Sequence, residues 1–86
     1  DETVIKLVEL LESDNRLISE QASACLKFVY SNDKNIRHIR IKNKDLINSI
    51  IDVFGNRSEN LVVNTNLRQL CDKYAGTEYA AGDIKF

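Results

Sequence analysis

Hydrophobic residues recur along this chain at the spacing of α-helix faces. Apolar side chains at positions i, i+3, i+4 and i+7 lie together on a helix, and the first such group consists of Val4, Leu7, Val8, Leu10 and Leu11. Similar groups follow within residues 17–29, 36–41, 46–54 and 61–74. The chain has no proline, and its three glycines, at positions 55, 76 and 82, lie outside these groups. The predicted helices therefore contain no helix-breaking residue. The pattern predicts an all-α fold of five helices.

Short polar clusters separate the predicted helices and supply their caps. Residues 13–15 (Ser-Asp-Asn) precede the second helix and residues 31–33 (Ser-Asn-Asp) precede the third. Asp33 is placed to accept hydrogen bonds from the first turn that follows. Asp45 is expected to open the fourth helix, and Gly55 is expected to stand just after its last residue.

The end of the chain lacks this periodicity. Residues 77–86, TEYAAGDIKF, mix polar and apolar types and include Gly82. We therefore expect an extended or disordered tail, although Ile84 and Phe86 could still dock against the helices. The predicted domain covers residues 1–76.

The two halves of the chain match one another. Residues 4–11 (VIKLVELL) align with residues 47–54 (INSIIDVF) at an offset of 43, and a longer helix follows each segment. Between the two units lies a short basic helix. A period of about 40–47 residues built from two or three helices is typical of HEAT and armadillo arrays.

The order of elements resembles the armadillo repeat, which has a short first helix, a second helix of the type I-x-x-L-V-x-L-L and a longer third helix with A-x-x-A-L-x-x-L. VIKLVELL and EQASACLKFV resemble a second and a third helix, and NIRHIRIK, DLINSIIDVF and NLVVNTNLRQLCDKY resemble the next complete unit. The resemblance covers residues 4–75, about one and two-thirds repeats. It implies an armadillo-like α-solenoid fragment, with a generic helical bundle as the alternative. The glycine that usually separates the first two helices is replaced by Asn43 or Lys44, and asparagine can adopt the left-handed conformation.

The resemblance implies that the third helices line a concave, partner-binding groove. The lining residues are then Ala24, Lys27, Phe28, Thr65, Arg68, Gln69 and Asp72. The tryptophan–asparagine ladder of importin-α-like proteins is absent, since its positions fall on Ala24 and Phe28, and then on Thr65 and Gln69 or on Arg68 and Asp72. Nuclear-localisation-signal binding is therefore not expected. Phe28 is the candidate aromatic anchor, with plain burial as its alternative. Tyr30 and Tyr74 are expected to pack rather than to bind.

Charge is concentrated in one segment of a chain whose formal net charge is only −1. The basic patch consists of Lys34, Arg37, Arg40, Lys42 and Lys44. Ile36 and Ile39 face inward at helical spacing, so the preferred interpretation is the solvated outer side of a short first helix. The alternatives are a docking surface for an acidic protein and, after that, a site for nucleic acid or anionic lipid, although no aromatic residue lies among the cations.

No catalytic, cofactor-binding or metal-binding set is expected. His38 stands without the further ligands that a metal needs, and Cys25 and Cys71 have no histidine at a spacing that indicates a catalytic pair. We expect the two cysteines to be buried free thiols, which favours the cytoplasm or nucleus. No segment reaches the roughly 18 apolar residues of a membrane span. The sequence begins at Asp1 and has no methionine, which favours a processed or excised piece of a longer protein.

These observations predict a non-catalytic protein–protein interaction or scaffold module of armadillo type. Its partner is expected to be a peptide or a protein domain, with an acidic one among the candidates. Further repeats or a second copy are expected to cover its apolar faces, because a solenoid unit cannot bury them alone. The alternative function is a helical domain that associates with nucleic acid or an anionic surface through residues 34–44.

Overall fold

The computed structural model describes residues 2–56 and 59–84, in which the chain forms six α-helices and no strand. These are α1 (Glu2–Leu10), α2 (Arg16–Val29), α3 (Asp33–Lys42), α4 (Leu46–Asn56), α5 (Leu61–Ala75) and α6 (Ala80–Asp83). The all-α prediction is confirmed, and the first five helices lie where the hydrophobic pattern places them. The sixth helix lies in the segment expected to be an extended or disordered tail.

Asparagine side chains begin three of the helices. The Oδ1 atoms of Asn15, Asn32 and Asn60 each accept hydrogen bonds from two backbone N–H groups in the first turns of α2, α3 and α5. Such caps satisfy N–H groups that have no partner within the helix. The prediction that Asp33 caps α3 is wrong, because Asn32 takes this role. Asp33 is the first residue of the helix, and its Oδ1 lies 3.0 Å from Lys73 Nζ.

Two connections around α4 differ from their predictions. Gly55 lies inside α4, which continues to Asn56. Among the described residues, glycines included, none has a positive φ. The helix therefore does not end in the left-handed turn that the glycine suggested. Asn43 is extended (φ −154°, ψ 93°) rather than left-handed. Its side-chain oxygen accepts a hydrogen bond of 3.2 Å from the backbone N–H of Asp45, which stabilises the break between α3 and α4.

The two long helices, α2 and α5, lie side by side and run in the same direction. Asn66 Nδ2 donates a 3.0 Å hydrogen bond to Ser23 Oγ across a separation of 43 residues. At the C-terminal ends of the same two helices, the rings of Tyr30 and Tyr74 lie 6.2 Å apart. Because the two pairs follow in the same order along each chain segment, the helices are parallel.

The other long elements pack on this pair. α1 packs on α2, α4 packs on α5, and α1 also touches α4, so that α1 and α4 form one layer and α2 and α5 another. The core lies between the layers and continues beneath α3. Its most completely buried members are Leu11, Leu26, Tyr30, Ile36, Ile47, Ile50, Val63, Leu67 and Leu70. The expectation that Tyr30 and Tyr74 serve packing agrees with their burial.

The C-terminal segment is fixed by one buried carboxylate. The Asp83 side chain is fully buried and accepts hydrogen bonds from Arg40 Nε at 2.6 Å, Arg40 Nη2 at 3.2 Å and the Tyr74 hydroxyl at 2.5 Å. Asn48 Nδ2 donates to the backbone oxygen of Asp83 at 2.7 Å. These contacts join α6 to α3, α4 and α5. Tyr79 adds a further contact, since its ring lies 4.6 Å below the Arg40 guanidinium.

The predicted extended or disordered tail is therefore wrong for the described part of residues 77–86. Local sequence does not hold α6, which is a single turn with no side-chain cap. Long-range hydrogen bonds hold it instead. Ile84 packs against the core, in agreement with the expectation that it could dock, whereas Phe86 lies outside the described residues.

We predict that Asp83→Ala lowers the free energy of unfolding at pH 7 by about 1–3 kcal/mol, because the buried Tyr74 hydroxyl loses its acceptor. Chemical denaturation followed by circular dichroism measures the change. Asp52→Ala is the matched control, since Asp52 is exposed on α4 and the substitution removes the same charge. Equal stability of the two variants contradicts the role given to Asp83.

The same carboxylate should make the protein sensitive to acid. Hydrogen bonds from Arg40 and Tyr74 hold the pKa of Asp83 below its usual value of 3.8, although burial opposes this shift. Its contribution to stability is therefore complete at neutral pH and is lost as the pH falls below about 3.8, through the lowered pKa. Unfolding curves measured between pH 7 and pH 2 should show a smaller loss of stability for Asp83→Ala than for the unaltered protein.

Candidate protein-interaction face

A shallow hollow lies between the C-terminal halves of α2 and α5. It has a volume of about 520 Å³ and is lined by Ala24, Lys27, Phe28, Ser31, Gln69, Leu70 and Lys73. Four of the seven residues expected to line a partner-binding groove are thus brought together here: Ala24, Lys27, Phe28 and Gln69. We call this surface the Phe28 hollow. Lys73, Leu70 and Ser31 were not predicted, although Lys73 lies one helical turn after Gln69 and Ser31 lies one turn after Phe28.

Phe28 is exposed, so plain burial is not its role. Phe28 is 77% accessible to solvent, whereas Leu26 and Tyr30 on either side of it are buried. Residues two apart point to different sides of a helix, and α2 turns Leu26 into the core while it turns Phe28 outward. Single exposed apolar residues are common on protein surfaces, so the functional interest of Phe28 comes from its position beside this hollow.

The remaining predicted groove residues lie on other surfaces. Thr65 and Arg68 line a second hollow, of about 450 Å³, together with Phe54, Gly55, Leu61 and Asn64. Asp72 lines a cleft of about 660 Å³ between α3, the end of α5 and the turn that follows, where it faces Lys34, Arg37 and Glu78. The seven residues therefore do not form one continuous site. Gln69, Asp72 and the pair Thr65 and Arg68 lie on different sides of α5, because successive residues are rotated about the helix axis.

Further apolar side chains are exposed where α2 and α5 begin. Leu17 and Ile18 follow the cap of α2, and Leu61 and Val62 follow the cap of α5. Because the helices are parallel, the two pairs lie at the same end of the helix pair. Leu17 and Ile18 belong to the apolar group within residues 17–29, yet both are exposed, Leu17 to 62%. Both pairs offer surface to a neighbouring molecule or segment.

The five basic residues of segment 34–44 do not form one free surface. Arg40 binds Asp83, and a side-chain hydrogen bond to Tyr79 raises the pKa of Arg37 above its ordinary value. Both guanidinium groups thus turn toward the C-terminal segment. Arg37 is nevertheless exposed, as are Lys34, Lys42 and Lys44, whereas Arg40 is partly buried. The predicted inward positions of Ile36 and Ile39 agree with their burial.

The two cysteines have different environments. Both are free, but Cys25 is exposed on α2, so the expectation that both are buried is wrong for this residue. Cys71 is partly buried, and burial together with the nearby Asp72 raises the pKa of its thiol to about 11. His38 is exposed on α3. Among residues 2–56 and 59–84, no three histidine, cysteine, aspartate or glutamate side chains stand close enough together to hold a metal ion.

Comparison with protein-family models, with curated proteins and with solved structures gave no match for this chain. Within the described part of the chain, no helix has the length and apolar character needed to cross a membrane.

The environments of the cysteines predict their reactivity. At pH 8 a soluble thiol reagent should modify Cys25 at least tenfold faster than Cys71, because access to Cys71 is limited and its raised pKa keeps it protonated. The rate at Cys71 should rise as the pH approaches 11. Mass spectrometry of Cys25→Ser and Cys71→Ser separates the two rates. Equal rates in the two variants contradict these environments.

Proposed function

We propose that this protein is a non-catalytic interaction module of armadillo type, which binds a protein partner on the outer side of α2 and α5. The single observation that carries the proposal is the repeated separation of contacting residues. Ser23 contacts Asn66 and Arg40 contacts Asp83, and both pairs are 43 residues apart. Stacked repeats have this property, because each residue lies beside its equivalent in the next unit.

The layer arrangement also supports the proposal. In each half a helix of the first layer packs on a longer helix of the second, and the two long helices are parallel, as adjacent units of a solenoid require. The spacing of these contacts equals the offset at which residues 4–11 match residues 47–54. Sequence repeat and spatial neighbour therefore agree on one period.

Exposed apolar side chains support the binding of a partner. Phe28 lies beside a hollow, and aromatic residues in such positions contribute more binding energy than most contact residues. Leu17, Ile18, Leu61 and Val62 offer apolar surface at the other end of the helix pair. We propose that further repeats or a second copy cover that end, since single solenoid units leave their stacking faces open. Free thiols suit a reducing compartment, and we place the protein in the cytoplasm or nucleus.

A capture experiment with matched variants tests the proposal. The chain serves as bait for partner proteins, alongside Phe28→Ala and the control Ile41→Ala, which removes an equally exposed apolar side chain from α3. We expect partner recovery to fall about tenfold with Phe28→Ala, a loss typical of an interface anchor, and to be unchanged with Ile41→Ala. Equal recovery with all three baits contradicts the proposal.

The alternative function, association with nucleic acid through segment 34–44, has its own test. Binding of a single-stranded oligonucleotide is measured across a salt titration, with Lys34→Glu and Lys42→Glu combined as the variant. We expect no salt-dependent binding, because Arg37 and Arg40 are engaged by the C-terminal segment. Binding that weakens steeply with salt and is abolished in the variant favours the alternative over the proposal.

A further inference from the structure

The Phe28 hollow combines an apolar wall with cations in a way that specifies its ligand. We infer that it binds an acidic peptide segment that presents one apolar side chain to Phe28. This inference rests on the proposed function and adds the chemistry of the partner to it.

The apolar wall has room beside the ring. Ala24 lies one turn before Phe28 on α2, and its small side chain leaves the side of the ring open. Leu70, which is buried, closes the base of the hollow from α5. An aliphatic or aromatic side chain placed there covers the exposed ring and loses its own water contact, which is favourable in proportion to the apolar area removed from water.

The hollow can also accommodate the backbone of a bound segment. Its volume of about 520 Å³ falls within the range of sites that enclose small ligands and is larger than one side chain. The Gln69 side chain at its edge has both a donor and an acceptor for a peptide group. The Ser31 hydroxyl donates to the backbone oxygen of Phe28 at 2.6 Å, so its own oxygen remains able to accept.

The charges of the hollow are of one sign. Lys27 on α2 and Lys73 on α5 line it, and no lining residue is acidic among those described. Lys73 Nζ lies 3.0 Å from Asp33, but both side chains are exposed, at 42% and 81%. A pair this exposed contributes little stability, and its ammonium can therefore exchange to a carboxylate of the ligand.

The two lysines also stabilise the ends of their own helices, a role that needs no ligand. Both lie in the last turns of their helices, where a cation complements the partial negative charge of the helix end. That partial charge is about half a unit for each helix, whereas each ammonium has a full positive charge. Asp33 offsets the charge of Lys73 while the two are paired, but it does not line the hollow. The lining itself therefore presents positive charge, which favours an acidic segment over a basic one.

Binding of defined peptides, followed by nuclear magnetic resonance of the labelled chain at low salt, tests the inference. The first probe is a blocked peptide in which acidic residues flank a central Leu-Phe pair. The second has lysine at each acidic position, and the third keeps the acids but has Gly-Ser at the centre. We expect shift changes at Phe28, Gln69 and Lys73 with the first probe only.

Two variants with matched controls complete the experiment. Phe28→Ala should weaken the first probe about tenfold, with Ile41→Ala as control. Lys27→Glu should weaken binding of the first probe several-fold at low salt and less at high salt. Lys6→Glu, at an exposed position of α1, is the control with an equal change of charge. Circular dichroism establishes that all four variants fold, since Lys27→Glu also alters a helix end.

Each alternative result overturns the inference in a distinct way. Equal binding of the first and second probes, still lost with Phe28→Ala, removes the acidic specificity but leaves the proposed function standing. Equal binding of the first and third probes shows a charge effect without an apolar anchor. If the chain dimerises under the conditions of the peptide experiment and Phe28→Ala abolishes the dimer, the occupant of the hollow is a second copy. If no probe binds, the inference fails, and the capture experiment alone then decides the proposed function.

Discussion

The parallel contact of α2 with α5 is the constraint on which the rest of the structure depends. Helices of this length are marginal in isolation, so packing must stabilise them. α2 and α5 pack on one another, and Leu26 of α2 and Val63, Leu67 and Leu70 of α5 are buried in one shared core. Each first-layer helix then packs on one member of the pair. α6 depends on one member of this pair, α5, because Tyr74 of α5 donates to Asp83.

The same contact determines which surface is left for binding. A helix that packs on neighbours through two of its sides still has one side in solvent, and on α2 that side contains Phe28, Ala24 and Leu17. An exposed aromatic residue contributes nothing to the stability of the isolated chain through burial. Under the proposed function, a partner completes the apolar contacts of this surface.

Helix positions could be predicted from the sequence because amphipathic spacing is a local property, and the separation of 43 residues was visible as a repeat. α6 could not be predicted, because Asp83 needs Arg40, which is 43 residues away, and the local segment has neither length nor a cap. The candidate site was predictable in part. Apolar residues occur on the buried and the exposed sides of α2, so periodicity alone could not distinguish an exposed Phe28 from a buried one. The side of α5 that faces Phe28 likewise depends on how the two helices are rotated, which brings Lys73 to the hollow and turns Asp72 away from it.

The short helices that follow α2 and α5 are held to the core by different interactions. α3 follows α2 and inserts Ile36 and Ile39 into the core, whereas α6 follows α5 and inserts the carboxylate of Asp83. A helix of a single turn has too little apolar surface to hold itself by burial, so a charged hydrogen-bonded group replaces the isoleucines. This end of the core therefore depends on the ionisation of one carboxylate, while the interior depends on apolar packing that pH does not affect. It also explains why Arg40 is not available to a polyanion: the basic segment supplies the counter-charge that holds α6 in place.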